Sequence, residues 1–235
     1  MRIGPFSVEP RLLTTLAAAL FVALLLSLGR WQLNRAGEKE ARQALYDARM
    51  GDAPVTLTGS VAGFEPLLYR RVRVAGEWIA ARQIFIDNQI QQGRAGFNVI
   101  TPLRLEGRIE AVLVNRGWIP RDSRFPRAPA VAVPTGRVEV TGLATRPPAR
   151  YRELSADTVT GDVWQNLSIE RYAAQSGVMV LPVVVLADAP APGLAAVREK
   201  PDAGMARHYE YAMTWFALAG TVLALWLALN VRRVR

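Results

Sequence analysis

The sequence has no cysteine, a single histidine (His208) and only two lysines among its 235 residues. Without cysteine the chain forms no disulfides, thiolate metal sites, c-type haem attachments or thiol redox centres. A Ser-His-Asp hydrolase would depend on His208 alone, and the sequence contains no strand–turn–helix nucleophile elbow. It contains neither a P-loop nor a G-x-G-x-x-G motif. These absences predict a protein that is not an enzyme.

The formal net charge of +9 raises the question of nucleic-acid binding, because arginine supplies 27 of the 29 basic residues. The arginines are scattered among acidic residues, however, and no recognisable nucleic-acid-binding module accompanies them. Nucleic acid is therefore not expected as a partner.

Two long runs contain no charged residue: residues 12–28 and residues 211–231. An α-helix needs about 20 apolar residues to cross the hydrocarbon core of a membrane, and only helices or closed barrels satisfy their backbone groups there. We therefore predict transmembrane helices over residues 12–30 and 208–231. The first is expected to be a retained signal anchor, since Ser27 to Gln32 offers no small-residue cleavage site.

The basic residues near the spans predict the orientation of the chain. Arg232, Arg233 and Arg235 follow the second span, which favours a cytoplasmic C-terminal segment, residues 232–235. Two spans then place the N-terminal segment, residues 1–11, on the same side. Three basic residues after the first span argue the other way, but a long translocated segment is less sensitive to loop charge. The sequence thus predicts a protein of the bacterial inner (plasma) membrane with a periplasmic central domain.

Between the spans, the sequence changes from helical to β character. Residues 31–50 are rich in helix formers and predict a membrane-proximal helical stem, which Gly51 to Pro54 ends. Residues 51–207 alternate short β-type runs with turns, which favours a mainly antiparallel sandwich or open barrel. A short helix with Ser168 as its N-cap is expected over residues 168–176. The predicted strands are residues 55–61, 70–79, 83–88, 97–105, 110–116, 137–143, 163–167 and 181–187.

Two further segments of this domain are predicted to be turns or loops. Residues 115–120 are interpreted as a strand end followed by a turn that needs the freedom of Gly117. Residues 121–136 contain three prolines and are expected to form a loop.

His208 lies at the outer edge of the second span and shares one helical face with aromatic and small residues. These are Tyr211, Ala212, Trp215 and Ala219. One interpretation is a ligand site, because haem iron accepts a neutral imidazole and a porphyrin favours apolar, aromatic surroundings. The other is an interfacial aromatic belt with an anchoring histidine, as in many membrane proteins. These residues alone leave both open.

Arg30 and Arg35 flank the first span in a similar way. Both can serve as anchors whose charged ends reach the membrane surface. Alternatively, a guanidinium can donate two parallel hydrogen bonds to an anionic group such as a lipid head group or a haem propionate.

Four segments together resemble the surfeit locus protein 1 family, assembly factors for cytochrome c oxidase. They are GRWQLNR (residues 29–35), GFNVITPL (96–103), VNRGWIP (114–120) and HYEYAMTWFALA (208–219). The resemblance implies a non-enzymatic chaperone that binds haem a and helps to place it in oxidase subunit I. His208 would be the axial iron ligand, Tyr211 and Trp215 would line the site, and Arg30 or Arg35 would meet propionates.

Membrane lipids are expected partners, and haem A synthase is a candidate one. The alternative function is a cofactor-free scaffold that binds oxidase assembly intermediates.

Overall fold

The computed structural model describes residues 2–3, 6–58, 63, 65–147, 159–198 and 204–233, which belong to two units. One unit combines the two ends of the chain, residues 1–45 and 200–235, and the other comprises residues 46–199. The elements, in chain order, are β1 (Arg2–Ile3), β2 (Phe6–Val8), α1 (Leu12–Met50), β3 (Val55–Thr56), β4 (Arg71–Trp78), a 3-10 turn (Ala80–Arg82), β5 (Ile84–Gln91), β6 (Arg94–Leu105), β7 (Ala111–Pro120), β8 (Arg137–Thr145), β9 (Val159–Thr160), β10 (Val163–Trp164), α2 (Ile169–Ser176), β11 (Val180–Ala187), α3 (Met205–Asn230) and β12 (Val231–Arg233).

The terminal unit is an antiparallel pair of helices, α1 and α3. Both are long and apolar enough to cross a membrane, and the two predicted terminal helices are thus present. The predicted stem, residues 31–50, is not a separate helix. It continues the apolar part of α1 without a break as far as Met50. Trp226 Nε1 donates to Thr15 Oγ1 over 3.0 Å, and the Tyr209 hydroxyl donates to Glu40 over 2.9 Å. The start of α1 thus contacts the end of α3, and the later part of α1 contacts the start of α3, so the two helices run antiparallel.

Small residues allow the two helix backbones to approach closely. Gly29 and Ala36 on α1 are buried, as are Ala212 and Ala219 on α3. A side chain at Gly29 would collide with the ring of Phe216. Such small-residue contacts let helices pack in a membrane, where the hydrophobic effect contributes little.

Three short strands join the ends of this unit. β2 lies between β1 and β12 and pairs antiparallel with both. The backbone N–H of Glu9 also donates to the Asn230 carbonyl over 2.9 Å. None of these strands was predicted, since segments of two or three residues carry no usable periodicity.

The central unit contains a closed five-stranded barrel in the order β4–β8–β11–β7–β6, and β6 pairs again with β4. All of these pairings are antiparallel except β11 with β7, which confirms the predicted mainly antiparallel domain. At the closing contact, Gly76 lies so near the Arg104 carbonyl that a Cβ would not fit. β5, β10 and β9 extend the sheet beyond β6, and β3 pairs with β4.

Alternate residues of the barrel strands contribute to separate hydrophobic clusters on the two faces of the sheet. The inward residues make an aliphatic interior, of which Val72, Leu103, Val114 and Val185 are typical. On the outer face, α2 covers a second cluster. Its members are Ile84, Ile86, Ile100, Leu113, Trp164, Tyr172 and Val184. The predicted short helix is confirmed, since the Ser168 hydroxyl accepts from the Arg171 N–H over 3.2 Å.

The interpretation of residues 115–120 as a turn is wrong, because β7 continues to Pro120. Gly117 (φ 136°) lies within the strand where the pairing with β6 changes register, and a side chain there would contact Leu194 and Ala195.

The neighbouring residue, Arg116, is buried and holds the loop of residues 121–136 against the strand. Its guanidinium donates to Gln83 over 3.0 Å and to the Ala132 carbonyl over 2.9 Å. Burial lowers the pKa of Arg116 from its ordinary value.

Two predicted strands are much shorter than expected. β3 covers only Val55–Thr56, and residues 59–61 lie outside the described residues. β10 covers only Val163–Trp164 of the predicted residues 163–167, because the chain turns there towards the N-cap of α2.

Candidate functional site

His208 lies in the first turns of α3, where its ring contacts α1. Its Nδ1 is 2.6 Å from Oε1 of Gln32. An amide oxygen only accepts hydrogen bonds, so with the Gln32 amide in this orientation the proton of a neutral imidazole lies on Nδ1. The lone pair of a neutral His208 is then on Nε2. This is the arrangement in which a protein histidine binds a metal while a neighbouring group fixes its tautomer.

Gln32 was not among the predicted site residues, although it lies within the GRWQLNR segment. The least exposed positions of α1 recur at alternating intervals of three and four residues. These positions include Val22, Leu25, Gly29, Gln32 and Ala36. Residues with this spacing lie on one face of a helix, and that face packs against a partner helix. The spacing could have identified Gln32 as a residue that faces α3.

The aromatic residues of the predicted site occupy different environments. Trp215 is half-buried in the helix pair, whereas Tyr211 is 55% exposed. Ala212 and Ala219, which share the face with His208, are buried in the helix pair and do not form an open groove. Tyr211 is therefore the accessible aromatic residue of this helical face.

The two arginines at the end of the first span are both exposed. Arg35 donates to Glu38 over 2.7 Å, one turn along the same helix. Among the described residues, the side chain that hydrogen-bonds with His208 is Gln32 and not one of the arginines.

A bare metal ion has no site in the part of the chain that the structure describes, since no group of three His, Cys, Asp or Glu side chains comes together there. A haem needs less from the protein, because its porphyrin already provides four nitrogen ligands to the iron. A single histidine with a fixed tautomer therefore fits a haem and does not fit a free ion.

The displaced pKa values in the β domain have structural causes. A hydrogen bond from Arg137, with its charge, lowers the pKa of Glu106. Arg124 lowers the pKa of Asp122 in the same manner. Burial raises the pKa of Tyr172 to about 12. Each is explained by an ion pair or by packing, and so none indicates an acid–base centre.

Known proteins match this chain over most of its length. The model of the SURF1 family matches residues 19–220. A SURF1-like protein of Rickettsia felis is 25% identical over 91% of this chain and 95% of its own length. Surfeit locus protein 1 of Mus musculus is 25% identical over 91% of this chain and 74% of its own. A SURF1-like protein of Monosiga brevicollis is 24% identical over 86% and 82%. With its two terminal helices and the β domain between them, this chain belongs to the SURF1 family.

Proposed function

We propose that this chain is a membrane-anchored assembly factor of cytochrome c oxidase that binds haem a and assists its insertion into subunit I. Membership of the SURF1 family implies the coarse function, an oxidase assembly factor. The contact between His208 and Gln32 is the observation that supports the haem-binding part.

In this proposal Nε2 of His208 would hold the haem iron, and Gln32 would keep the ring oriented by accepting from Nδ1–H. Such a hydrogen bond also makes the ligating nitrogen more basic. Haem a, when bound, supplies the iron and the apolar ring that the oxidase needs. Tyr211 and Trp215 offer aromatic surface beside the ligand. Arg30 is the better partner for a propionate, because Arg35 is already paired with Glu38.

The surroundings of the site follow from the charges near the spans. Both terminal segments are cytoplasmic in this proposal, and the β domain lies in the periplasm of a bacterial inner membrane. Haem A synthase is a candidate partner, and membrane lipids would surround α1 and α3. Catalysis is not part of the proposal, since the chain carries, holds and releases the cofactor without changing it.

The test uses the full chain co-expressed with haem A synthase, purified in detergent and examined by redox difference spectra. His208→Ala should lose the spectral signature of imidazole coordination. Trp215→Ala should lower haem occupancy but keep that signature. Gln32→Leu should keep the ligand and weaken haem affinity about 10-fold or more, as loss of a ligand's hydrogen-bond partner does. Asn34→Leu, an exposed change on the same helix, is the matched control.

A cofactor-free scaffold is the second candidate function, and one observation favours it. Ala212 and Ala219, which share a helical face with His208, are already buried against α1, and this packing reduces the surface available to a porphyrin. If His208→Ala kept both the spectrum and the occupancy of the wild type, the ligand role would be refuted. The scaffold would then be the better description.

A further inference from the structure

The β domain contains a cavity of about 340 Å³ on the outer face of the barrel. Its apolar walls come from Ile86 on β5, Ile100 on β6, and Val184 and Leu186 on β11. The cavity adjoins the cluster that α2 covers, so these walls belong to a well-packed part of the domain. Ligand pockets occupy about 300–1,000 Å³, and this one is at the small end of that range.

Two asparagines bring unmatched polar groups to this cavity. Asn115 is only 4% exposed, and its Oδ1 accepts from the Gly117 N–H over 3.1 Å. No hydrogen bond joins its Nδ2 to another described residue. Asn98 donates to Gln89 over 3.3 Å, while its Oδ1 is buried without a partner among the described residues. Buried amide groups are nearly always satisfied, and an unsatisfied one costs about 1–3 kcal/mol. The cavity therefore presents the Asn115 Nδ2 as a donor that a ligand can satisfy, whereas the Asn98 Oδ1 is enclosed by the protein.

The rim of the cavity is basic. Arg146 and Arg198 contribute to its lining, and the Arg198 side chain is exposed. None of the described lining residues is acidic. A guanidinium in this position favours a carboxylate, to which it can donate two parallel hydrogen bonds.

We propose that this cavity binds a short peptide segment in which an apolar side chain lies next to a carboxylate. A peptide group offers a C=O, which can accept from the free Nδ2 donor of Asn115. The apolar side chain fills the space between the aliphatic walls, and the carboxylate pairs with Arg198. This site lies in the β domain and is separate in residues and chemistry from the His208 site.

The binding test uses the full chain in lipid nanodiscs and saturation-transfer NMR, which detects weak binding. The probes are acetyl-Leu-Glu-amide and acetyl-Leu-Gln-amide, which differ only in charge. The wild type should bind the glutamate probe about tenfold more tightly, the ratio expected for one charge-assisted contact of about 1.4 kcal/mol. Arg198→Gln should remove this preference. Arg94→Gln, an exposed arginine that does not line the cavity, should keep it.

A second variant tests the cavity itself. Val197→Trp places a large ring at the partly exposed rim and should abolish binding of both probes without lowering the unfolding temperature. Equal affinity for the two probes in the wild type, or unchanged binding in Val197→Trp, would overturn the proposal. The third probe is hexanoate, a carboxylate with an apolar chain and no peptide group. If it binds as tightly as the glutamate probe, the cavity is a site for small organic anions and the peptide assignment is wrong.

Discussion

Gly29 is the residue on which the helix pair depends most directly. It is buried, and the ring of Phe216 occupies the space that any side chain at this position would need. Gly37 lies two turns further along the same helix and has nothing within 4 Å of an added Cβ. Two glycines of one helix therefore have opposite tolerance to substitution, although glycine weakens a helix interior by a similar amount at both positions.

We expect Gly29→Leu to separate α1 from α3, since overpacking a tight contact costs about 1–3 kcal/mol. The absence of cysteine makes this measurable, because Glu40→Cys and Tyr209→Cys can be introduced without competing thiols. These two positions contact each other, and both are exposed. Crosslinking with a short bismaleimide should fall several-fold in Gly29→Leu. It should stay at the parent level in Gly37→Leu, and an equal loss in both variants would contradict the role of Gly29.

At the scale of elements, α2 is held to the barrel by Tyr172. This side chain is 1% exposed, and its hydroxyl donates to the Arg82 carbonyl over 2.7 Å. Its ring also lies 5.9 Å from that of Trp164. Burial is the largest cause of the raised pKa of Tyr172, which is about 12 against an ordinary 10.0. The neutral phenol is therefore the form that the folded domain requires.

This pKa predicts an alkaline limit to the stability of the β domain. The unfolded chain loses the Tyr172 proton near pH 10, whereas the folded chain keeps it until about pH 12. The free energy of unfolding should thus be unaffected below pH 10 and fall as the pH rises from 10 to about 12. Tyr172→Phe should be about 1 kcal/mol less stable at neutral pH, because it loses one hydrogen bond, and should decline less above pH 10. Tyr211→Phe, an exposed change, should follow the wild-type profile.

Elements with local signals were the ones that the sequence could predict. The α2 helix follows from the Ser168 cap and its short polar–apolar pattern, and the two spans follow from their lack of charge. Closure of the barrel was not predictable, since it depends on the approach of Gly76 to Arg104 across 28 residues of chain. For Gln32, helical spacing indicates a position that faces α3, but its partner lies 176 residues away and required the structure. Among the site residues, His208 was identifiable because it is the only histidine, but its contact with Gln32 required the structure.

At the scale of the whole chain, the pairing of α1 with α3 and of β2 with β12 brings the two terminal segments to one end of the helix pair. Three arginines follow α3 in the sequence. We therefore expect both terminal segments to face the cytoplasm and the β domain to face the periplasm. Reporter fusions after residue 235 and near residue 130 should report opposite sides of the membrane. If both fusions reported the same side, the two-span topology would be wrong.

The pairing of α1 with α3 also sets the order of events during synthesis of this protein. Gln32 precedes His208 by 176 residues, and the whole β domain lies between them, so their contact cannot form until the β domain has been translated. A ribosome that stalls within the β domain leaves α1 without its partner helix. The contact between Gln32 and His208 is then absent from every chain that stops before α3.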